Sequence, residues 1–169
     1  MASSSVAGAA HRSTRTLDGT NAVESQATLV EARALRTATV HGVPSANAFL
    51  VETLPDPAAA LLRRLPKSSA IGKPLLAFVT QQADWTVLGT LGVAGEVGGA
   101  YDEVLYHQIT DMTGFLMGPD GSVPHKRNLD TLRVNVEGRT HQFRTSPGSD
   151  LFALWNICLK VTRMSKRAV

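Results

Sequence analysis

Residues 131–145 read TLRVNVEGRTHQFRT, and residues 146–163 continue as SPGSDLFALWNICLKVTR. In the first part, apolar and polar side chains alternate from Leu132 to Val136, which is the pattern of a strand with one buried face. Gly138 tolerates the positive backbone φ angle that a tight hairpin turn needs. The stretch therefore predicts a β-hairpin, and this hairpin indicates the fold of the chain.

The second part of the stretch predicts an amphipathic helix. Ser149 is the expected N-cap because its hydroxyl can accept a hydrogen bond from a backbone N–H group, and Asp150 suits the positive end of the helix dipole. Apolar side chains recur at helical spacing on one face, at Leu151, Leu154, Trp155, Cys158 and Val161. The opposite, more polar stripe is predicted at Ala153, Asn156, Lys160 and Arg163. So wide an apolar face must pack against a sheet.

The hairpin and the helix together resemble the C-terminal end of a pleckstrin homology (PH) domain. The resemblance rests on Leu132 to Val134, Gly138 to Phe143, Ser149 and Trp155. In PH domains the last two strands lead into a helix that caps a seven-stranded, bent antiparallel barrel, and a tryptophan of that helix plugs the barrel. The resemblance implies an α+β fold, mainly β, with Trp155 as the plug and Phe143 as the apolar residue of the last strand.

The alternative to a PH-like fold is another small α+β domain that ends in a hairpin and an amphipathic helix. PH-like scaffold proteins of the apicomplexan pellicle are similar in size, but this chain has Ala2 where N-terminal acylation requires glycine.

The chain divides into three predicted parts. Residues 1–20 are small and polar and are expected to form a flexible N-terminal tail; an organelle-targeting peptide is the alternative, because arginines occur there and acids are nearly absent. Residues 21–40 are expected to hold an extra N-terminal helix and a linker, with Asn21 and Glu24 as a capping pair. Residues 41–169 make up the predicted PH-like domain.

Seven strands of the barrel are predicted from apolar runs with turn residues between them. They lie at 48–53, 75–80, 85–91, 103–109, 113–117, 130–136 and 140–145. Residues 92–100 are expected to form a mobile loop, because glycine is dense there and its backbone entropy disfavours regular structure. Ala58 to Leu65 are expected to form two helical turns, which Pro66 ends.

Composition excludes several classes of protein. Hydrophobic residues make up 43% of the 169 residues, which is enough for a core and argues against a disordered chain. Cys158 is the single cysteine, so no disulfide can form within the chain. This suits a reducing compartment, and a cytoplasmic location is expected, with membrane or cytoskeleton association left open. No apolar run reaches the roughly 18 residues of a membrane-spanning helix.

Charge is uneven along the chain. The formal net charge is +3, but residues 121–169 carry +6 and residues 1–120 carry −3. The basic part suits an acidic partner, phospholipid headgroups or nucleic acid, or it only solubilises a helix end. Nucleic acid is not expected as a partner, because aromatic residues are 5% of the chain and both tryptophans are predicted to be buried.

No motif for catalysis, nucleotide binding or metal binding occurs in the sequence. Asp102, Glu103, His107 and Asp111 are close along the chain, but a strand would place Asp102 on the face opposite Glu103 and His107. We therefore expect no cofactor, no metal and no enzymatic activity. A small α+β enzyme without a recognisable motif is kept as an alternative, with His107 and Asp111 as its candidate residues.

The expected function is protein binding by a non-catalytic PH-like module, as an adaptor or as a subunit of a larger assembly. The binding surfaces are expected on the N-terminal helix and on the polar stripe of the last helix. Their residues are Glu24, Glu31, Arg33, Asn156, Lys160 and Arg163.

The alternative is a peripheral membrane protein that binds acidic phospholipid headgroups. Its cations would be Arg63, Arg64, Lys67 and Lys73. PH domains take their phosphate-binding Lys and Arg mainly from the first hairpin, whose second strand here, Leu75 to Thr80, contains none. Only a weak, salt-sensitive contact with lipid is therefore expected.

Overall fold

The computed structural model describes residues 15–114, 122 and 125–167, without the side chains of residues 15–23 and Lys126. The helices are α1 (Arg15–Val40), α2 (Asp56–Leu62) and α3 (Ser149–Ser165). The strands are β1 (Ala48–Leu50), β2 (Pro74–Val79), β3 (Trp85–Gly89), β4 (Gly92–Val97), β5 (Ala100–Leu105), β6 (Asp111–Thr113), β7 (Thr131–Val136) and β8 (Arg139–Arg144). Short 3-10 turns occur at Val51–Thr53, Tyr106–Gln108 and Lys126–Asn128.

Parts of two sequence predictions lie outside the described residues. They are residues 1–14 of the predicted tail and residues 115–117 of the predicted fifth strand. α1 begins at Arg15, earlier than the helix expected from Asn21, so its first turns occupy the end of the predicted tail.

The strands form two antiparallel sheets. β1 to β5 follow one another in a five-stranded sheet, and β6, β7 and β8 form a three-stranded sheet. The predicted α+β, mainly β, fold is confirmed. So is the hairpin of β7 and β8, in which Leu132 pairs with Phe143 and Val134 with His141. The described residues form eight strands rather than seven, and their two sheets do not close into a barrel.

The glycine-rich run 92–100 is strand and turn, so the predicted mobile loop is wrong. β4 covers most of the run, and the two glycines after it (φ 59° and 83°) make the tight turn to β5. Gly95 serves packing, because a Cβ atom there would lie 2.7 Å from the Trp85 carbonyl oxygen and 3.2 Å from the Phe143 ring. Here glycine marks a close approach between the sheets rather than flexibility.

The main core lies between the two sheets and α3. β8 packs across the inner face of the five-stranded sheet, where the Thr86 hydroxyl donates a hydrogen bond to the Arg144 carbonyl (2.8 Å). The largest buried side chains of this core are Leu76, Phe78, Leu88, Tyr106, Ile109, Leu132, Phe143, Leu151, Leu154 and Ile157. Both sheets and α3 thus contribute to one apolar interior.

A second cluster covers the outer face of the five-stranded sheet. Its buried members are Ile71, Ala77, Trp85, Val87 and Ala94, and side chains of α2 and the neighbouring loops pack onto them. The sheet is therefore buried on both faces. This explains why β2 is a continuous apolar run rather than an alternating one.

α1 packs against α3 and β2. Among the side chains of α1 that are described, from Glu24 onward, the buried ones are Val30, Ala34, Thr37 and Ala38. This contact corrects the predicted polar stripe of α3, because Ala153 is fully buried in the same cluster as Ala34 and Ala38. Docking of the N-terminal helix within the chain therefore closes a face of α3 that the sequence pattern left open to solvent.

α3 has the predicted apolar face, with two differences. The residue before the helix is Gly148, in a left-handed conformation (φ 87°), so the predicted Ser149 N-cap is wrong and Ser149 is the first helical residue. Trp155 is only partly buried at the margin of the core, where it stacks on Phe152 (ring centroids 6.2 Å apart) and lies against Gly114.

Candidate functional site

The cations proposed for lipid binding do not form a cluster of available charges. Arg64 forms an ion pair with Glu96 of β4. Lys73 Nζ lies 2.6 Å from Glu31 Oε1 of α1, and this hydrogen bond raises the pKa of Lys73. Within the described chain Arg63 and Lys67 are exposed and form no ion pair. Half of the proposed set is therefore neutralised inside the fold.

The residues proposed for protein binding separate into two groups. Glu31 holds α1 to the rest of the chain through Lys73, and the Asn156 side-chain amide donates to the Phe152 carbonyl of its own helix (2.8 Å). The others, Glu24, Arg33, Lys160 and Arg163, are exposed and form no ion pair with another described residue. The structure thus leaves these four as surface groups and assigns internal contacts to the other two.

The acidic residues considered for a metal or catalytic site take separate partners. The Glu103 carboxylate accepts hydrogen bonds from Tyr101 (2.6 Å) and Ser69 (2.8 Å). Burial opposes its ionisation, but these hydrogen bonds outweigh burial and lower the pKa of Glu103. Burial, aided by the same contact, raises the pKa of Tyr101 to about 12.

The remaining residues of that set do not converge either. Asp102 contacts His141 Nδ1 (2.8 Å), whereas His107 and Asp111 are exposed and are joined by no hydrogen bond or ion pair. Among the described residues no three His, Cys, Asp or Glu side chains could hold a metal ion together. Burial raises the pKa of the Cys158 thiol, which therefore stays protonated as a small apolar core group.

One apolar groove combines residues from four separate segments. It encloses about 200 Å³ and is mainly apolar. We call it the α1–α3 groove, and its lining residues are Gln26, Val30, Thr90, Leu91, Leu105, His107 and Ser165. Leu91 remains 43% exposed although it belongs to the groove wall.

Hydrogen bonds fix the turn that presents Leu91. Its backbone N–H donates to the Ile71 carbonyl (2.8 Å), and its carbonyl accepts from the Tyr106 N–H (3.0 Å). The Tyr106 hydroxyl donates to the Gly89 carbonyl at the end of β3 (2.9 Å). The turn is thus held from both sides while its apolar side chain faces outward.

Exposed cations lie close to the groove. Leu29, Arg33 and Arg36 share one side of α1; Arg33 follows the groove residue Val30 by three positions, and Arg36 lies one turn further along the helix. Lys166 follows Ser165 at the end of α3 and is also exposed. We call Arg33, Arg36 and Lys166 the cationic rim. These three form no ion pair with another described residue, and no carboxylate lines the groove.

Two other clefts are open and polar. One of about 390 Å³ is lined by Asn47, Thr80, Gln81, Gln82, Asp130, Thr145, Ser146 and Pro147. Beside it, Asp84 accepts from Arg144 (2.8 Å) and from the Gly98 N–H (2.9 Å), so its charge serves the fold. The other cleft, of about 330 Å³, lies between β5 and β8.

Sequence reasoning identified one member of the cationic rim, Arg33, and missed the groove. The sequence pattern predicts Leu91 at the end of a strand, whereas the turn around it depends on hydrogen bonds from residues distant in sequence. One local signal was available: Leu29 lies off the apolar stripe of its helix, and an off-stripe leucine on a docked helix is solvent-facing.

Comparison with protein-family models, curated proteins and solved structures gives no match. No helix in the described part of the chain is long and apolar enough to cross a membrane.

Proposed function

We propose that this chain is a non-catalytic, PH-like module that binds another protein, as an adaptor or as a subunit of a larger assembly. The PH-like part of the proposal is supported by the order of elements. A larger antiparallel sheet is followed by a three-stranded sheet, and the last hairpin leads into a helix that packs on the core. The extra strand and the marginal position of Trp155 depart from the family pattern.

The α1–α3 groove carries the protein-binding part of the proposal. Partly exposed apolar side chains are grouped in this groove beside unpaired cations, and exposed apolar patches with a polar border mark interaction sites. Leu29, which is 61% exposed, extends this apolar surface along α1. A protein partner can bury the leucines and pair the arginines at once.

Lipid binding is less well supported. If β2 to β5 are equated with the first sheet of a PH domain, the first hairpin is β2–β3, and its tip from Gln81 to Asp84 contains no Lys or Arg. Arg64 and Lys73 are already paired with carboxylates. Clustered phosphates need several converging donors, and the segment between α2 and β2 leaves only Arg63 and Lys67 unpaired.

Affinity capture of the full chain from native lysate, with crosslinking and mass spectrometry, tests the proposal. We expect a reproducible set of retained proteins that is reduced when Leu29 and Leu91 are both changed to Asp. Val40→Asp is the matched control, because Val40 is 73% exposed and does not line the groove. Retention of no protein above background, or equal capture by both variants, would contradict the proposal.

A parallel sedimentation assay with vesicles containing acidic phospholipids separates the lipid alternative. We expect the protein to stay in the supernatant at low salt. Vesicle binding that is lost in Arg63→Glu/Lys67→Glu would support the alternative instead.

A further inference from the structure

The α1–α3 groove is too small for most organic ligands and large enough for a side chain. Its volume of about 200 Å³ is below the range of roughly 300–1,000 Å³ of small-molecule sites. Val30 is buried at its floor, while Leu91 and Leu105 form an apolar wall. Such a site suits one large apolar side chain of a partner, which would displace water from these leucines.

The cationic rim supplies unpaired positive charge beside the groove. Arg33 and Arg36 lie on α1 and Lys166 at the end of α3, and all three are exposed and form no ion pair with another described residue. Of the two carboxylates described on α1, Glu31 is bound to Lys73, and Glu24 lies on another side of the helix. An occupant with carboxylates on each side of its apolar side chain would therefore meet complementary charge.

The walls of the groove are held in place before any partner binds. Buried Ala34 and Ala38 fix α1 against the core, the Glu31–Lys73 pair holds its flank, and backbone hydrogen bonds hold the Leu91 turn. A preformed site loses little conformational freedom on binding, which favours recognition of a short segment.

We infer that the α1–α3 groove binds a segment of a protein partner in which a large apolar residue is flanked by Asp or Glu. This inference rests on the proposed function and adds the chemistry of the partner. The groove has room for about one side chain, which suits a protein segment, and the vesicle measurement below separates this occupant from a lipid surface. Arg33 and Arg36 then act as specificity determinants that select for acidic flanks.

Selection of a random displayed-peptide library against the full chain tests the inference. We expect enrichment of peptides that contain Leu, Ile, Phe or Trp with at least two neighbouring Asp or Glu. Binding of an enriched, fluorescently labelled peptide should weaken about tenfold in Arg33→Glu/Arg36→Glu, which corresponds to about 1.4 kcal/mol. It should also weaken between about 0.1 M and about 1 M salt, as screening shortens the reach of charges.

The matched control is Arg63→Glu/Lys67→Glu, which makes the same charge change on exposed residues away from the groove. This control should leave peptide affinity unchanged. Enrichment of peptides without acidic residues, equal effects of the two double variants, or no enrichment at all would overturn the inference.

The two proposals fail in different ways. Cellular proteins that are captured equally well by wild type and by Arg33→Glu/Arg36→Glu would leave the adaptor function standing and remove the acidic-segment inference. Loss of all protein capture would remove both. Sedimentation with acidic vesicles that depends on the rim arginines would replace the protein segment by a lipid surface.

Discussion

Single residues in this protein often stabilise the fold through contacts with residues that are distant in sequence, which a local sequence pattern does not predict. Asp150 illustrates this at the start of α3. It accepts a hydrogen bond from the Ser45 hydroxyl (2.9 Å), and the Ser45 oxygen in turn accepts from the Ala48 N–H (3.1 Å). Asp150 thus joins α3 to the segment before β1, across most of the chain. Burial raises the pKa of its carboxyl above 3.8, and the hydrogen bond from Ser45 offsets only part of this rise.

The raised pKa predicts a pH dependence. The protonated carboxyl favours the folded state, so this contribution is complete below the unfolded pKa and is lost as the pH rises through the folded pKa. Asp150→Asn cannot titrate but keeps an acceptor for Ser45. We expect the free energy of unfolding of wild type minus that of the variant to fall as the pH rises from about 4 toward neutrality. Urea unfolding of both proteins across this range measures it, and a difference that is constant or that rises would contradict the assignment.

Gly95 supports a second prediction at this scale. In Gly95→Ala the new methyl group would press on the Trp85 carbonyl and the Phe143 ring, which belong to different sheets. We expect a loss of about 1–3 kcal/mol in the free energy of unfolding, the usual cost of overpacking. Gly98→Asn is the control, because open space surrounds Gly98 and asparagine tolerates its positive φ angle. Similar urea midpoints for wild type and Gly95→Ala would show that the sheets can separate there at little cost.

Among the elements, those with a local signal are the ones that the sequence predicts correctly. In the β7–β8 hairpin, apolar and polar residues alternate and a glycine marks the turn between the strands; in α3, apolar residues recur at helical spacing. Neighbouring residues therefore suffice to specify both elements. β4 could not be predicted in this way. A Cβ atom at its glycines would clash with the backbone and side chains of other strands. Residues close in sequence do not show this requirement.

α1 depends on its small residues for docking, which leads to an element-scale prediction. Ala34 is 1% exposed, so Ala34→Leu should push α1 away from α3 and cost about 1–3 kcal/mol in the free energy of unfolding. Ala32→Leu is the matched control on the exposed side of the same helix and should change stability by less than about 0.5 kcal/mol. Chemical unfolding followed by circular dichroism measures both. Equal effects would mean that α1 is not held by this face.

For the whole molecule, the arrangement of the sheets and the groove could not be derived from sequence. Arg33 could be proposed as a binding residue from its place on a helix. Its neighbours Leu91 and Ser165 reach it only because α1, the β3–β4 turn and the end of α3 meet in space. The number of strands likewise depends on how distant segments pair, and the eighth strand, β4, lies in the glycine-rich run that the sequence predicts to be a loop.

The shared core predicts that the described elements unfold together. β8 belongs to one sheet and packs on the other, while α3 contacts α1 and the three-stranded sheet. We therefore expect tryptophan fluorescence and far-ultraviolet circular dichroism to give the same urea midpoint. Trp85 lies under α2 and Trp155 lies on α3, so fluorescence reports on both ends of the core. Separate midpoints for the two signals would show that the sheets unfold independently.

The placement of β5 and β8 has a consequence for how the chain behaves in a crowded solution. Each is the last strand of its sheet, and an uncovered last strand can template fibre growth by adding strands from other copies. Here Asp102 of β5 reaches His141 of β8, and Glu103 adds a second carboxylate on the same strand. The two strand edges thereby cover each other, and neither offers the bare, uncharged ladder on which amyloid assembly begins.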